Sequence, residues 1–223
     1  MQGIIPDQEE YMKQFFSYIL NKIEYGKPIS HGMDTYEMKQ YFEKRYNERF
    51  EMNKNLLEKY NLYGKTLLDI CSGFGQDSVF FAKHGNMIVD SIEKDWKATA
   101  IHQDFIEKYD VIDKNKIFCC DMFKFVPIEE YDVVYTSSPS NWMHGNPDKV
   151  IPDKWLNFLK LVLKPDGFFI ARLYGGNYTS LVIRSDTFIK LLKERLESID
   201  FSLLDYQPEK FASTIFVARR NKK

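Results

Sequence analysis

The chain has 223 residues, 44% of them hydrophobic, and its 31 Lys and Arg nearly balance 32 Asp and Glu, leaving a net charge of -1. That length can bury the core of one sizeable domain, and the balance gives no general basic excess of the kind that draws a protein to nucleic acid. No apolar run approaches the ~20 residues that span a bilayer, and the opening "MQGIIPDQEE" lacks the charged and apolar regions of a signal peptide, so the expected compartment is the cytosol, with no membrane partner.

In chain order, Tyr11, Phe15, Phe16, Ile19, Leu20 and Ile23 recur at helical spacing behind Asp7 and Glu10, which are placed like a capping box. Gly26 and Pro28 end that helix, and "DTYE" at 34–37 opens a second, running to about Tyr60. From Lys65 short apolar runs alternate with helical stretches: strand 66–70, helix 75–84, strand 87–92, helix 95–109, strand 116–120, strand 132–137, helix 149–163 and strand 167–173. This alternation predicts a parallel sheet covered by helices. After a helix over 186–198, strands 201–206 and 213–220 are joined by a loop too short for a parallel crossover, so they form an antiparallel hairpin. Cys71, Cys119 and Cys120 are odd in number and poorly spaced for zinc, and they read as buried free thiols, the last two within a strand.

"LLDICSGFGQD" at 67–77 leads from a strand through a glycine-rich turn into a helix, and such a turn lets a ligand approach the backbone. An acidic residue, Glu93, ends the second strand 24 residues after Asp69; Asp90 competes for the role from three residues earlier, inside the strand. Asp121 follows the third strand in "KIFCCDMFKF", and "LKLVLKPDGFFIARLY" supplies a helix, a Pro-Asp-Gly turn and a further strand. Together with the closing hairpin, these five features over residues 62–220 resemble a class I S-adenosylmethionine-dependent methyltransferase. The resemblance implies an α/β Rossmann-like fold: a seven-stranded, mostly parallel sheet with an antiparallel last strand and helices on both faces. It also implies a division into an N-terminal helical lid or extension, 1–61, and a donor-binding core, 62–223. Cys71 stands where the family often has its first glycine, which predicts a turn that is less tight or differently bent there.

The implied donor is S-adenosyl-L-methionine, and the implied donor site comprises Asp69, Cys71, Gly73, Gly75, Glu93, Lys94, Asp121, Met122 and Ser137. Backbone N–H groups of the turn and of the next helix can receive the donor's amino-acid end. Glu93 can accept from both ribose hydroxyls. Asp121 can accept from the adenine amine beside the Met122 N–H. The plainer alternative for both carboxylates is a solvated strand end or a helix cap, and Asp69 has the alternative of orienting the turn.

The acceptor side is less distinctive. "DVVYTSSPSNWMHG" resembles in part the Asn/Asp/Ser-Pro-Pro-Tyr/Phe motif of amino-methyltransferases, but Ser140 takes the aromatic place and Trp142 lies two residues on. Ser138, Trp142, Tyr174 and Tyr36 are the candidate acceptor contacts. His144 is the candidate general base and His31 its alternative, with a solvated loop histidine the competing reading for His144; His84 and His102 read as ordinary helix residues. The strand-four loop offers serines, proline and asparagine until Asp148, so no metal is expected. With no basic stripe, a small-molecule acceptor ranks first and nucleic acid or protein second, methylated on oxygen or nitrogen. A dinucleotide reductase is disfavoured, because "DICSGFG" lacks the G-x-G-x-x-G form. An aminopropyltransferase would show acidic residues at "SSPS", and a non-catalytic donor-binding or interaction protein is the remaining class.

Overall fold

The structure, a computed structural model, describes residues 33–137, 151–174, 186–209 and 213–222. The expected first helix, with Asp7 and Glu10, lies outside them. Seven strands form one sheet in the order β3-β2-β1-β4-β5-β7-β6, and the chain divides into two compact units, Met1–Ile128 and Glu129–Lys223.

The first unit opens with α1 (Thr35–Tyr60), started by a reciprocal capping box. The Glu37 N–H donates to Asp34 Oδ1 at 2.8 Å and the Asp34 N–H to Glu37 Oε2 at 3.0 Å, which satisfies two of the helix's orphan donors. Then follow β1 (Thr66–Ile70), α2 (Gln76–His84), β2 (Ile88–Ile92), α3 (Trp96–Lys108) and β3 (Asn115–Phe118). β1 and β2 pair in parallel, as do β2 and β3, with Ile70 beside Ile92 and Ile92 beside Phe118. The loops after all three strands therefore leave from one edge, which in an open α/β sheet is where ligands bind.

The buried face of α1 carries Met38, Phe42, Tyr46, Arg49, Asn53, Leu56 and Leu57. Phe42 stacks on Phe105 of α3, and the buried Arg49 guanidinium donates to Asp77 of α2, whose other oxygen accepts from Asn53 Nδ2 at 2.8 Å. Each fully buried aromatic or aliphatic side chain contributes about 1.5–3 kcal/mol. The helix expected to form the second half of a lid is thus packed into the first unit through an apolar seam and a buried ion pair.

The second unit contains β4 (Tyr131–Ser137), α4 (Asp153–Val162), β5 (Leu163–Tyr174), α5 (Asp186–Glu197), β6 (Phe201–Pro208) and β7 (Ser213–Arg220). β4 and β5 are parallel, β5 and β7 antiparallel, and β6 and β7 form the expected antiparallel hairpin.

Three boundaries differ from the sequence reading. β3 ends at Phe118, because the chain turns there to cap the next element, so Cys119 and Cys120 lie beyond the strand. α4 begins only at Asp153, behind Pro152. The Pro-Asp-Gly segment is part of β5: the register slips between Tyr131–Leu163 and Val133–Phe168, and Asp166 with φ +69 absorbs the extra residues as a bulge. Only Cys120 of the three thiols is buried; Cys119 is half-buried and Cys71 exposed.

Candidate functional site

The turn after β1 is held by its backbone. The Ser72 N–H donates to Ile92 O at 3.1 Å and the Gly75 N–H to Ser72 O at 3.0 Å, while the Glu93 N–H reaches Phe118 O at 3.1 Å. Cys71, Gly73 and Gly75 all have positive φ, at 59°, 58° and 79°. Cys71 therefore adopts the left-handed conformation a glycine would take there, correcting the expectation of a looser turn; the cost is carried as backbone strain. Its thiol is pushed up to about 12, first by desolvation and then by the nearby Glu93 and Asp69 charges, so it is protonated at neutral pH.

Glu93 lies across this turn. Its Oε2 accepts from the Gly73 N–H at 3.0 Å and its Oε1 from the Asp95 N–H at 2.9 Å. Both oxygens are fixed in direction and each retains a lone pair. Asp90, the competitor, sits in the middle of β2 opposite Leu68. Lys94 is exposed, and its carbonyl accepts from the Cys119 thiol at 3.8 Å.

Asp121 caps the short 3₁₀ turn Met122–Lys124, accepting from the Phe123 N–H at 2.9 Å. The cap role is thus real, and it leaves the second carboxylate oxygen of an exposed residue for other partners. Met122 is buried.

Asp69 is 1% exposed, and its Oδ2 accepts from the Ser78 hydroxyl at 2.5 Å. Burial raises this carboxyl well above the usual range; the Ser78 bond and Arg49 oppose the shift, while Asp77 and Glu93 add to it. Among the described residues the buried side-chain oxygens that find no partner are Asp69 Oδ1, Ser72 Oγ, Gln76 Oε1 and Ser137 Oγ. Three of the four lie on or beside the β1–α2 turn: Asp69 one residue before the end of β1, Ser72 within the turn and Gln76 at the start of α2. Buried polar atoms are nearly always paired, so orphans collected around one turn mark a place for a polar ligand.

A Cβ added to Gly73 would meet nothing within 4 Å. The turn therefore offers open space over Gly73, unpaired side-chain oxygens beside it and a fixed carboxylate, features that suit the polar parts of S-adenosylmethionine.

A family model described as RNA cap guanine-N2 methyltransferase matches residues 64–147, from the start of β1 through the segment after β4. A candidate S-adenosyl-L-methionine-dependent methyltransferase from Methanococcus maripaludis superposes with a TM-score of 0.61 at 15% identity, over 85% of this chain and 93% of that one. An S-adenosylmethionine-dependent methyltransferase from Thiobacillus denitrificans, solved with S-adenosyl-L-homocysteine, gives 0.55 at 14% identity over 75% and 90%. The fold is that of the class I S-adenosylmethionine-dependent methyltransferases, and the family match supports methyl transfer as the activity. A candidate RNA methyltransferase from Pyrococcus horikoshii is also similar, at 0.57 and 14% identity over 77% and 80%. No curated protein matches.

The methyltransferase family match supports S-adenosyl-L-methionine as the donor, and the Thiobacillus denitrificans neighbour holds its demethylated product. The solved structures speak for the fold; the family match bears on the acceptor, and it removes the support for ranking nucleic acid as an improbable partner. Among the described residues no helix is long and apolar enough to cross a membrane.

In the second unit, Ser137 ends β4 beside Arg172 of β5. Tyr174 closes β5. His31, Ser138, Trp142 and His144 lie outside the described residues. Tyr36 is 68% exposed and lines an open groove of about 600 Å³ with Lys39, Gln40, Glu43, Asp104, Phe105 and Lys108, none of which belongs to the donor turn.

Two polar residues were missed. Arg172 is fully buried, donates to both Glu209 oxygens at 2.7 and 3.0 Å, and reaches the Tyr135 hydroxyl at 2.6 Å. His102 is also fully buried, not an ordinary helix residue, and burial lowers it to about 3. The available signal was a lone charged or polar residue inside an apolar run, "FFIARLY" and "ATAIHQDFI".

Proposed function

We propose that the enzyme methylates an exocyclic amino group of a guanine-type base, in RNA or in a nucleotide derived from it. The supporting observation is the extent of the family match: residues 64–147 run from the donor turn through Ser137-Ser138-Pro139-Ser140 to Trp142 and His144, the segment that the sequence already likens to an amino-methyltransferase motif.

The donor supplies an electrophilic methyl group on a sulfonium. In the proposed site Glu93 orients the ribose through the two acceptors that Gly73 and Asp95 hold in place, Asp121 and Met122 receive the adenine, and the first N–H groups of α2 receive the amino-acid end. Lys94 flanks the ribose carboxylate, and Ser137 begins the acceptor loop. Ser138 and the neighbouring backbone accept from the target amine, Trp142 stacks on the base in place of the missing aromatic at 140, and Tyr174 borders the acceptor. An amine attacks with its own lone pair, so positioning carries most of the rate and can be worth roughly 7–11 kcal/mol. His144, or His31, then has the lesser task of taking the proton released from the product.

A small soluble acceptor is the second reading, favoured by the balance of 31 basic against 32 acidic residues. Labelled donor incubated with capped RNA, uncapped RNA, guanine nucleotides and a pooled metabolite extract separates the two, with the product nucleoside read by mass spectrometry. Label on guanine that needs no metabolite supports the first reading. Label only in small non-nucleotide products overturns it.

A further inference from the structure

Gly73 and Gly75 share a positive φ but face different surroundings. Where Gly73 has open space, a Cβ on Gly75 would lie 1.9–2.2 Å from the ring of His102. The imidazole of α3 thus occupies the volume that any side chain at position 75 would need.

The same ring ends a buried hydrogen-bond chain. Asn115 Nδ2 lies 3.1 Å from His102 Nε2, and Asn115 Oδ1 is 3.0 Å from Ser91 Oγ. Ser91 Oγ is 3.0 Å from Ser78 Oγ, and the Ser78 hydroxyl donates to Asp69 Oδ2 at 2.5 Å. Five side chains from α3, β3, β2, α2 and β1 stand in succession, each within 3.1 Å of the next, and all five are buried. The chain reaches Asp69 just before the turn, and its far end fills the space beside Gly75 at the turn's exit. A neutral ring suits this place, since Asn115 can donate to it and no charge has to be desolvated.

We propose that His102 is a positioning residue for donor capture, holding the β1–α2 turn in its binding shape directly at Gly75 and remotely through Asn115, Ser91 and Ser78 to Asp69. It touches neither donor nor acceptor. The proposal rests on the reading of this turn as the donor site. Without the ring, Gly75 can sample other conformations, and the donor binds only the fraction of molecules in which the turn is formed, so apparent affinity falls by that fraction.

The test is calorimetric binding of S-adenosyl-L-homocysteine to the full chain and its variants, with a thermal melt of each. His102→Leu is expected to weaken binding roughly 10- to 100-fold. Ser91→Ala, which interrupts the chain away from the turn, acts in the same direction. His102→Gln, whose amide can still accept from Asn115, restores most of the affinity. The two losses combine less than additively in the Ser91→Ala, His102→Leu double variant. Leu192→Ala in α5, fully buried in the other unit, lowers the melting temperature but leaves affinity unchanged. If His102→Leu does not fold, Ser91→Ala and His102→Gln carry the test alone. Affinity within two-fold of the parent in His102→Leu or Ser91→Ala overturns the proposal, as does an equal loss in Leu192→Ala. Glu93→Ala separates the two failures: unchanged affinity there refutes the donor-site reading itself, whereas a loss there with none in the chain variants refutes only the role of His102.

Discussion

The two units treat buried polar groups differently. In the first, three buried side-chain oxygens on or beside the β1–α2 turn have no partner among the described residues, and Glu93 is aimed across the turn by backbone donors. In the second, the buried charge is closed on itself: Arg172 spends its donors on both oxygens of Glu209 and on Tyr135, and Glu209 accepts again from the Ser213 hydroxyl at 3.1 Å. A region that must receive a polar ligand keeps acceptors in reserve, while a region that must hold strands in register uses them up. Ser137 is the one buried orphan oxygen among the described residues of the second unit, at the residue where the proposed acceptor loop begins.

The largest expected effect tests the closed network. Arg172→Met preserves volume but leaves Glu209, whose side chain is only 9% exposed, without its ion pair. Breaking a buried pair from one side costs about 3–5 kcal/mol, so urea unfolding should show a loss of that size. Changing both partners, Arg172→Met with Glu209→Gln, should recover much of it. A loss below about 1 kcal/mol in the single variant would mean the pair is solvated after all.

The open turn should respond in binding rather than in stability. Glu93→Ala removes a charged acceptor from the proposed ribose contact, for a loss of roughly 1.5–3 kcal/mol, about 10- to 150-fold in donor affinity. It also strips the Gly73 and Asp95 N–H groups of their partner, so a modest stability loss accompanies it, which the sequence alone gave no reason to expect. Unchanged donor affinity by calorimetry would remove Glu93 from the site.

How much of this was legible beforehand follows from range. The order of strands, the glycine turn, Glu93 and the Asp34–Glu37 cap are local patterns, and local sequence carries them. Arg172–Glu209 joins residues 37 apart and the Asp69–His102 chain runs through five separate elements, so no spacing announces either. The misplaced start of β5 has a local cause: Pro165-Asp166-Gly167 is a turn signature, yet the sheet accommodates it as a bulge. The end of β3 was overrun because Cys119 and Cys120 continue an apolar run that the Asp121 cap interrupts only afterwards.

A pH series sharpens the comparison within the first unit. His102 is lowered to about 3 by burial, so the unfolded chain binds a proton that the folded chain refuses. The stability this ring contributes is present above about 6.5 and is lost as pH falls toward 3, by up to about 1.4 kcal/mol per unit. Asp69 is raised, so its contribution has the opposite sign, complete below about 3.9 and lost as pH rises through its folded value. As pH falls below about 6.5 the two contributions therefore run in opposite directions in the parent chain. His102→Gln should therefore flatten the acid side of the stability curve relative to the parent, and Asp69→Asn should steepen it. Parallel curves for all three proteins would show that neither group is buried in the ionisation state assigned.

The smallest effect concerns Cys71, the one residue of the turn that departs from glycine while adopting a glycine conformation. At φ +59 its Cβ crowds the following carbonyl, a strain of roughly 1–2 kcal/mol. Cys71→Gly removes the strain but adds backbone freedom to the unfolded chain, which takes back about 0.5–1 kcal/mol. The net gain should be no more than about 1 kcal/mol. Cys71→Ala separates the causes: it deletes the thiol but keeps the Cβ, so it should leave the strain in place and gain nothing. If alanine stabilised as much as glycine, the thiol and not the backbone would be the burden. If glycine stabilised alone, the turn would have kept a strained side chain at the ligand-facing edge of an otherwise relaxed backbone, and donor affinity of the two variants would then tell whether the Cys71 side chain serves the donor or only tolerates its place.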